Sequence, residues 1–81
     1  MKLPRDLSGR ELAKMLEAYG YRVTRQVGSH LRLTSGARGR EHHITVPAHV
    51  ALRVGTVSAV LSEVATYLEV DRAELAQELF G

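Results

Sequence analysis

Residues 21–47 read as three short segments of alternating character, and the punctuation between them leaves little freedom in how they pair. The first, "YRVTRQV" (Tyr21 to Val27), alternates at its start as a half-buried strand does. Only Gly28 and Ser29 separate it from "HLRLTS", and a two-residue connection containing glycine makes an antiparallel hairpin. "GARGR" is a second, Gly-rich hairpin loop carrying two arginines. "EHHITV" is the third strand, and Pro47 stops it because proline cannot donate to a ladder. Three hairpin-linked strands form an antiparallel sheet with one face that must be covered.

The flanking segments supply the cover. Ser8 followed by Glu11 is a capping box. Leu12, Met15, Leu16 and Tyr19 then fall on one helical face, and Gly20 ends a helix over about residues 9–19. Thr56 is the expected cap of a second helix, whose apolar stripe is Val57, Val60, Leu61, Val64, Ala65 and Leu68. Asp71 with Glu74 opens a short last helix carrying Leu75 and Leu79. The predicted fold is α+β: a two-layer α-β-β-β-α sandwich similar to the double-stranded-RNA-binding domain, with a short C-terminal helix. At 81 residues, the chain 1–81 is expected to be one domain with a thin core, so any active site is shallow.

Strand parity then assigns the faces. Leu31, Leu33, Val23, Ile44 and Val46 should face the helices, with His42 sharing their side. Arg22, Thr24, Gln26, His30, Arg32, Thr34, His43 and Thr45 should line the open side. Arg25 breaks the pattern, because its parity points it inward unless the strand bulges or the side chain reaches past the sheet edge. Charge is also unevenly placed. Residues 1–55 hold ten Lys/Arg against four Asp/Glu, a balance of +6, while residues 56–81 hold one against five, a balance of −4. A basic sheet face lined with hydroxyls suits a strand bearing phosphates and 2′-hydroxyls.

Several classes of function are set aside by what is missing. There is no cysteine, hence no disulfide framework and no thiolate metal site, which fits a cytoplasmic protein. No apolar run approaches the ~20 residues of a membrane span, and no signal-like run follows Met1. His42 and His43 are adjacent, so in a strand they point to opposite faces and cannot hold one ion together; no metal and no cofactor are expected. His42 reads as a half-buried structural side chain and His49 as a loop residue.

His30 stands apart, opening a strand directly after Gly28 and Ser29 with Arg25 and Arg32 near in sequence. It is either a polar turn residue or a proton-transfer group. Cleavage of RNA by its own 2′-hydroxyl needs a base, a proton for the leaving 5′-oxygen and positive charge on the phosphorane. Histidine suits the first two needs and arginine the third. His43 shares the open face by parity and is a candidate for the second proton transfer.

Three stretches carry a family resemblance: "LPRDLSGRELAKMLEAYGYRV", "RQVGSHLRL" and "HHITVPAHVALRVGTVSAVLSEV". They resemble the HicA toxins of bacterial and archaeal toxin–antitoxin pairs. Gly-Ser-His before an apolar strand is the family hallmark, and "TVPAH" and "VGT" follow at the family's distance. The resemblance implies an mRNA interferase of dsRBD-like fold, with His30 as the catalytic residue and a HicB-like antitoxin covering the active face. His49 matches a recurrent family position. The expected ligand is single-stranded RNA or mRNA, bound by Gly28, Ser29, Arg25, Arg32 and His43. The alternative is a non-catalytic RNA-binding module on the same fold. The start of the second helix, "LRVGTVS", lacks the lysine cluster with which duplex-RNA binders grip phosphates.

Overall fold

The computed structural model describes residues 3–81. Helix α1 (Gly9–Met15) runs into a 3₁₀ turn (Leu16–Tyr19). Strands β1 (Arg22–Val27), β2 (His30–Ser35) and β3 (His42–Pro47) follow, then helices α2 (Val54–Leu68) and α3 (Arg72–Phe80). The strands form one antiparallel sheet in the order β1-β2-β3. This is the α+β, dsRBD-like arrangement expected from the sequence, and its thinnest dimension, 17 Å, is that of two layers.

The helix starts show which sequence signals carried weight. Ser8 accepts from the Glu11 N–H at 3.0 Å, and the Glu11 carboxylate accepts from the Ser8 N–H at 2.9 Å, completing the capping box. Asp71 caps α3 through the Glu74 N–H. Two expectations need correction. The last turn of the first helix tightens to 3₁₀ before Gly20. Thr56 does not cap α2: the helix starts at Val54, with Arg53 in the extended cap conformation (φ −67°, ψ 144°). Leu52 is buried and its N–H is held by the Leu7 carbonyl, which fixes the chain just upstream, so the Arg53 carbonyl accepts from both Thr56 and Val57.

Leu31 and Leu33 of β2 and Ile44 and Val46 of β3 are buried against Leu12, Leu16, Val57, Val60, Leu61 and Val64. Burying each such side chain contributes about 1.5–3 kcal/mol. Val23, expected in this layer, is 45% exposed, as β1 is one of the two edge strands and, unlike β3, has all six of its residues exposed. Tyr67 of α2 is buried and holds the second hairpin: its hydroxyl accepts from the Arg38 N–H (2.9 Å) and donates to the Arg40 carbonyl (2.6 Å). Arg38 pairs with Glu69 at 2.7 Å, and Arg40 lies over the Tyr67 ring. The basic hairpin loop is therefore tied to the end of α2.

Gly9 is the tightest joint between layers. It is buried, its N–H donates to the His49 carbonyl, and a Cβ there would overlap the Pro47 carbonyl oxygen. Alanine would gain about 1 kcal/mol in helix propensity, but overpacking against fixed backbone costs about 1–3 kcal/mol and involves a main chain with no rotamer to yield. Gly9→Ala should therefore lower the thermal midpoint, by about 4–8 °C for each kcal/mol lost; calorimetry checks this.

Two tyrosines predict alkaline behaviour. Burial foremost pushes the Tyr19 phenol up to about 12, aided by its 2.6 Å bond to Glu78, and pushes Tyr21 up to about 12, aided by Tyr67 and Glu63. A pKa raised in the folded state gives stability that is intact below the unfolded value of about 10 and is lost as pH rises through about 12. Urea midpoints measured between pH 9 and 12 should fall, and more gently in Tyr21→Phe.

Candidate functional site

The Gly28–Ser29 turn between β1 and β2 has positive φ at Gly28 (56°) and not at Ser29, the pattern of a II′ hairpin turn. Nothing lies within 4 Å of a Cβ placed on Gly28, so the glycine serves the backbone angle and leaves open space above the turn. Val27 and His30 face each other across it. The Ser29 carbonyl accepts from the Ala48 N–H at 2.6 Å, which locks the turn to the loop after β3. The Gly9 N–H bonds the next residue in that loop, so the turn that presents His30 is backed by the start of α1.

β2 is the central strand, and its outward residues define three rows across the open face. His30 sits between Val27 and Pro47, Arg32 between Arg25 and Thr45, and Thr34 between Arg22 and His43. The middle row depends on an irregularity in β1. The register shifts between Val23 and Arg25, so Val23 opposes Leu33 but Arg25 opposes Arg32. The parity expectation for Arg25 is thereby corrected: a bulge at Thr24 turns Arg25 outward. The same bulge moves Gln26 the other way. Expected on the open face, it opposes Leu31, and its amide oxygen accepts from Arg10 of α1 at 3.2 Å.

Arg25, Val27, His30, Arg32 and Thr45 line one shallow cavity of ≈ 330 Å³. Two guanidinium side chains thus come from directly opposed positions, an arrangement that costs stability when no anion separates them. Among the described residues, the one Lys/Arg to Asp/Glu pair is Arg38–Glu69, so neither Arg25 nor Arg32 is neutralised by a carboxylate. Among the described residues, no polar partner engages the exposed His30 imidazole.

The other histidines separate cleanly. His42 is half-buried, its Nδ1 bonded to the Tyr21 hydroxyl at 2.7 Å and its ring stacked on Tyr67 with centroids 4.7 Å apart. A larger groove of ≈ 410 Å³ lies beside it between β3 and α2, away from the open face. His43 is exposed on the open face, as parity predicts, with Nδ1 bonded to Thr34 at 2.8 Å. It opposes Thr34, four residues along β2 from His30, or about 13 Å at strand spacing. The two imidazoles therefore share a face but stand at opposite ends of β2. His49 contributes its backbone carbonyl to Gly9, and its side chain is exposed. Val27, 60% exposed in the cavity, was missed in the sequence because an apolar residue at a strand end reads as core.

These features define a small α+β protein of dsRBD-like arrangement, with a cationic, histidine-bearing sheet face that the described residues leave uncovered. A family model described as HicA toxin of bacterial toxin–antitoxin matches residues 9–65, from the start of α1 well into α2, and takes in every residue of this face. The chain belongs to the HicA toxin family: it is the toxin of a toxin–antitoxin pair, and membership implies an antitoxin partner. No curated protein and no solved structure matches the chain. Among the described residues, no helix is long and apolar enough to cross a membrane.

The opposed arginines give a direct test. Arg32→Gln should raise thermal stability slightly, by about 0.2–1 kcal/mol, because it relieves a like-charge pair. The same substitution should weaken binding of a polyanion such as heparin and flatten its salt dependence. Calorimetry and salt-gradient elution read the two effects separately.

Proposed function

We propose that this toxin is an endoribonuclease that cleaves single-stranded mRNA in the cytoplasm, the chain acting as one domain and without a metal ion. The observation that supports this best is the shared cavity of His30 with Arg25 and Arg32, an imidazole beside two unneutralised guanidiniums. A phosphodiester seated there meets each requirement of attack by its own 2′-hydroxyl. His30 takes the 2′-proton or returns one to the leaving 5′-oxygen. Arg25 and Arg32 stabilise the charge that builds on the phosphorane. Gly28 and Ser29 shape a turn open enough for the strand to approach. The 2′-oxygen to phosphorus bond forms as the bond from phosphorus to the 5′-oxygen breaks, leaving a 2′,3′-cyclic phosphate and a 5′-hydroxyl.

Among the described residues, no second imidazole and no carboxylate line the cavity. We assign the second proton transfer to water or to His30 itself, and not to His43, which lies about 13 Å along the strand. The implied antitoxin, of HicB type, would silence the toxin by covering the open face, where an acidic surface complements the arginines.

His30→Ala should keep the fold and lose about 10²–10⁴ in cleavage rate, together with growth arrest on expression. Mass spectrometry of the RNA ends checks the chemistry. Wild-type rates in His30→Ala, or 5′-phosphate products, would sink it. RNA bound but left intact by the wild-type protein would favour the plain RNA-binding module.

A further inference from the structure

The far row of the open face carries a hydrogen-bonded ladder that the cleavage chemistry does not use. Thr24 Oγ1 lies 2.9 Å from Thr34 Oγ1, which lies 2.8 Å from His43 Nδ1. Each strand of the sheet gives one member. The bulge in β1 brings Thr24 into line, because in regular register Arg22 is the residue opposite Thr34.

The protons in this ladder are ordered by its end. Thr24 Oγ1 donates to the Arg32 carbonyl, at 3.4 Å, and a carbonyl can only accept. A hydroxyl has one proton, so with Thr24 donating to that carbonyl it accepts from Thr34 at 2.9 Å. The Thr34 proton is then spent, and Thr34 must accept from His43 Nδ1–H. Neutral His43 is thereby held as the Nδ1–H tautomer, with the lone pair on Nε2. His43 is exposed, and no protein group among the described residues pairs with Nε2. The outcome is a fixed hydrogen-bond acceptor on a face whose other long side chains are cationic donors. A bare acceptor repels phosphate oxygens and selects a ligand that brings a hydroxyl or an amine.

Along β2, Arg32 lies midway between Thr34 and His30. A strand with its scissile phosphate among His30, Arg25 and Arg32 that runs on along β2 would reach His43 after about four stacked nucleotides, at ~3.4 Å each. Resting on the proposed RNA-cleaving function, we infer that the Thr24–Thr34–His43 ladder is a second nucleotide subsite, in which His43 Nε2 accepts from a ribose 2′-hydroxyl. It would let the toxin tell RNA from DNA at a distance from the bond it cuts.

The test uses the full chain carrying His30→Ala, so that RNA survives the measurement, and reads fluorescence anisotropy with labelled oligo(U) and oligo(dU) twelve-mers. Both strands lack exocyclic amines, so their affinity ratio isolates the 2′-hydroxyl. We expect oligo(U) to bind more tightly. Adding His43→Phe should lower the ratio about 2- to 12-fold, the worth of one hydrogen bond. Oligo(dU) affinity, carried by the arginines, should hold and also reports that the variant is folded. Thr34→Val, which frees the tautomer, should lower the ratio in the same direction. A ratio unchanged in His43→Phe, or an equal loss on both strands, would overturn the subsite while leaving the proposed function standing. With oligo(C) run in parallel, a His43→Phe loss seen on oligo(C) and not on oligo(U) would show that His43 reads a base amine and would overturn the ribose assignment. Failure of the parent to bind either oligomer would overturn the RNA function and this inference with it.

Discussion

Everything in this fold depends on β2 being asked to satisfy two opposite environments with alternate residues. Leu31 and Leu33 have no exposed surface at all, while His30 and Arg32 between and before them are open to solvent. A chain this short has one apolar layer to offer against the sheet, formed by α1 and α2, so the other face stays bare. A one-residue slip would put leucines outside and arginine inside, so the register is strongly specified. The cationic, histidine-bearing face follows directly from how the protein makes its core.

The open face is rigid at one end for reasons that lie on the opposite side of the molecule. The turn before His30 has few contacts of its own, and glycine at its first central position would leave it loose. The Ser29 carbonyl is fixed by Ala48, and the loop containing Ala48 is pressed against Gly9 at the start of α1. At the other end, Tyr67 and the Arg38–Glu69 pair draw the basic hairpin down to α2. Four arginines that look alike in sequence thereby divide: Arg25 and Arg32 have no carboxylate partner among the described residues, and Arg38 and Arg40 become structural.

The histidines divide in the same manner. His42 and His43 are neighbours in the chain but lie on opposite faces, one stacked in an aromatic cluster with Tyr21 and Tyr67, the other at the end of a threonine ladder. Among the described residues, His30 has neither kind of partner and stands beside the Arg25 and Arg32 guanidinium groups. HicA membership sets this arrangement in the toxin of a toxin–antitoxin pair.

By itself the sequence determined the order of elements, the two faces of β2 and β3, and the turn that presents His30. Each of these is a local property: period-2 alternation, a two-residue glycine turn, a capping box. Reading His30 as the group to watch, and the family, were also legible there, because both rest on short contiguous stretches. Only the tertiary structure decided the face of β1. Alternation predicts Arg25 inward and Gln26 outward, and one extra residue at Thr24 reverses both; nothing in "VTRQV" marks a bulge, because its position is set by pairing with β2 and by Arg10 of α1 meeting Gln26. The start of α2 was likewise decided by the buried Leu52 and not by the threonine that looked like a cap. Local pattern fixes what a segment is; which way an edge strand turns its side chains depends on neighbours that the segment does not contain.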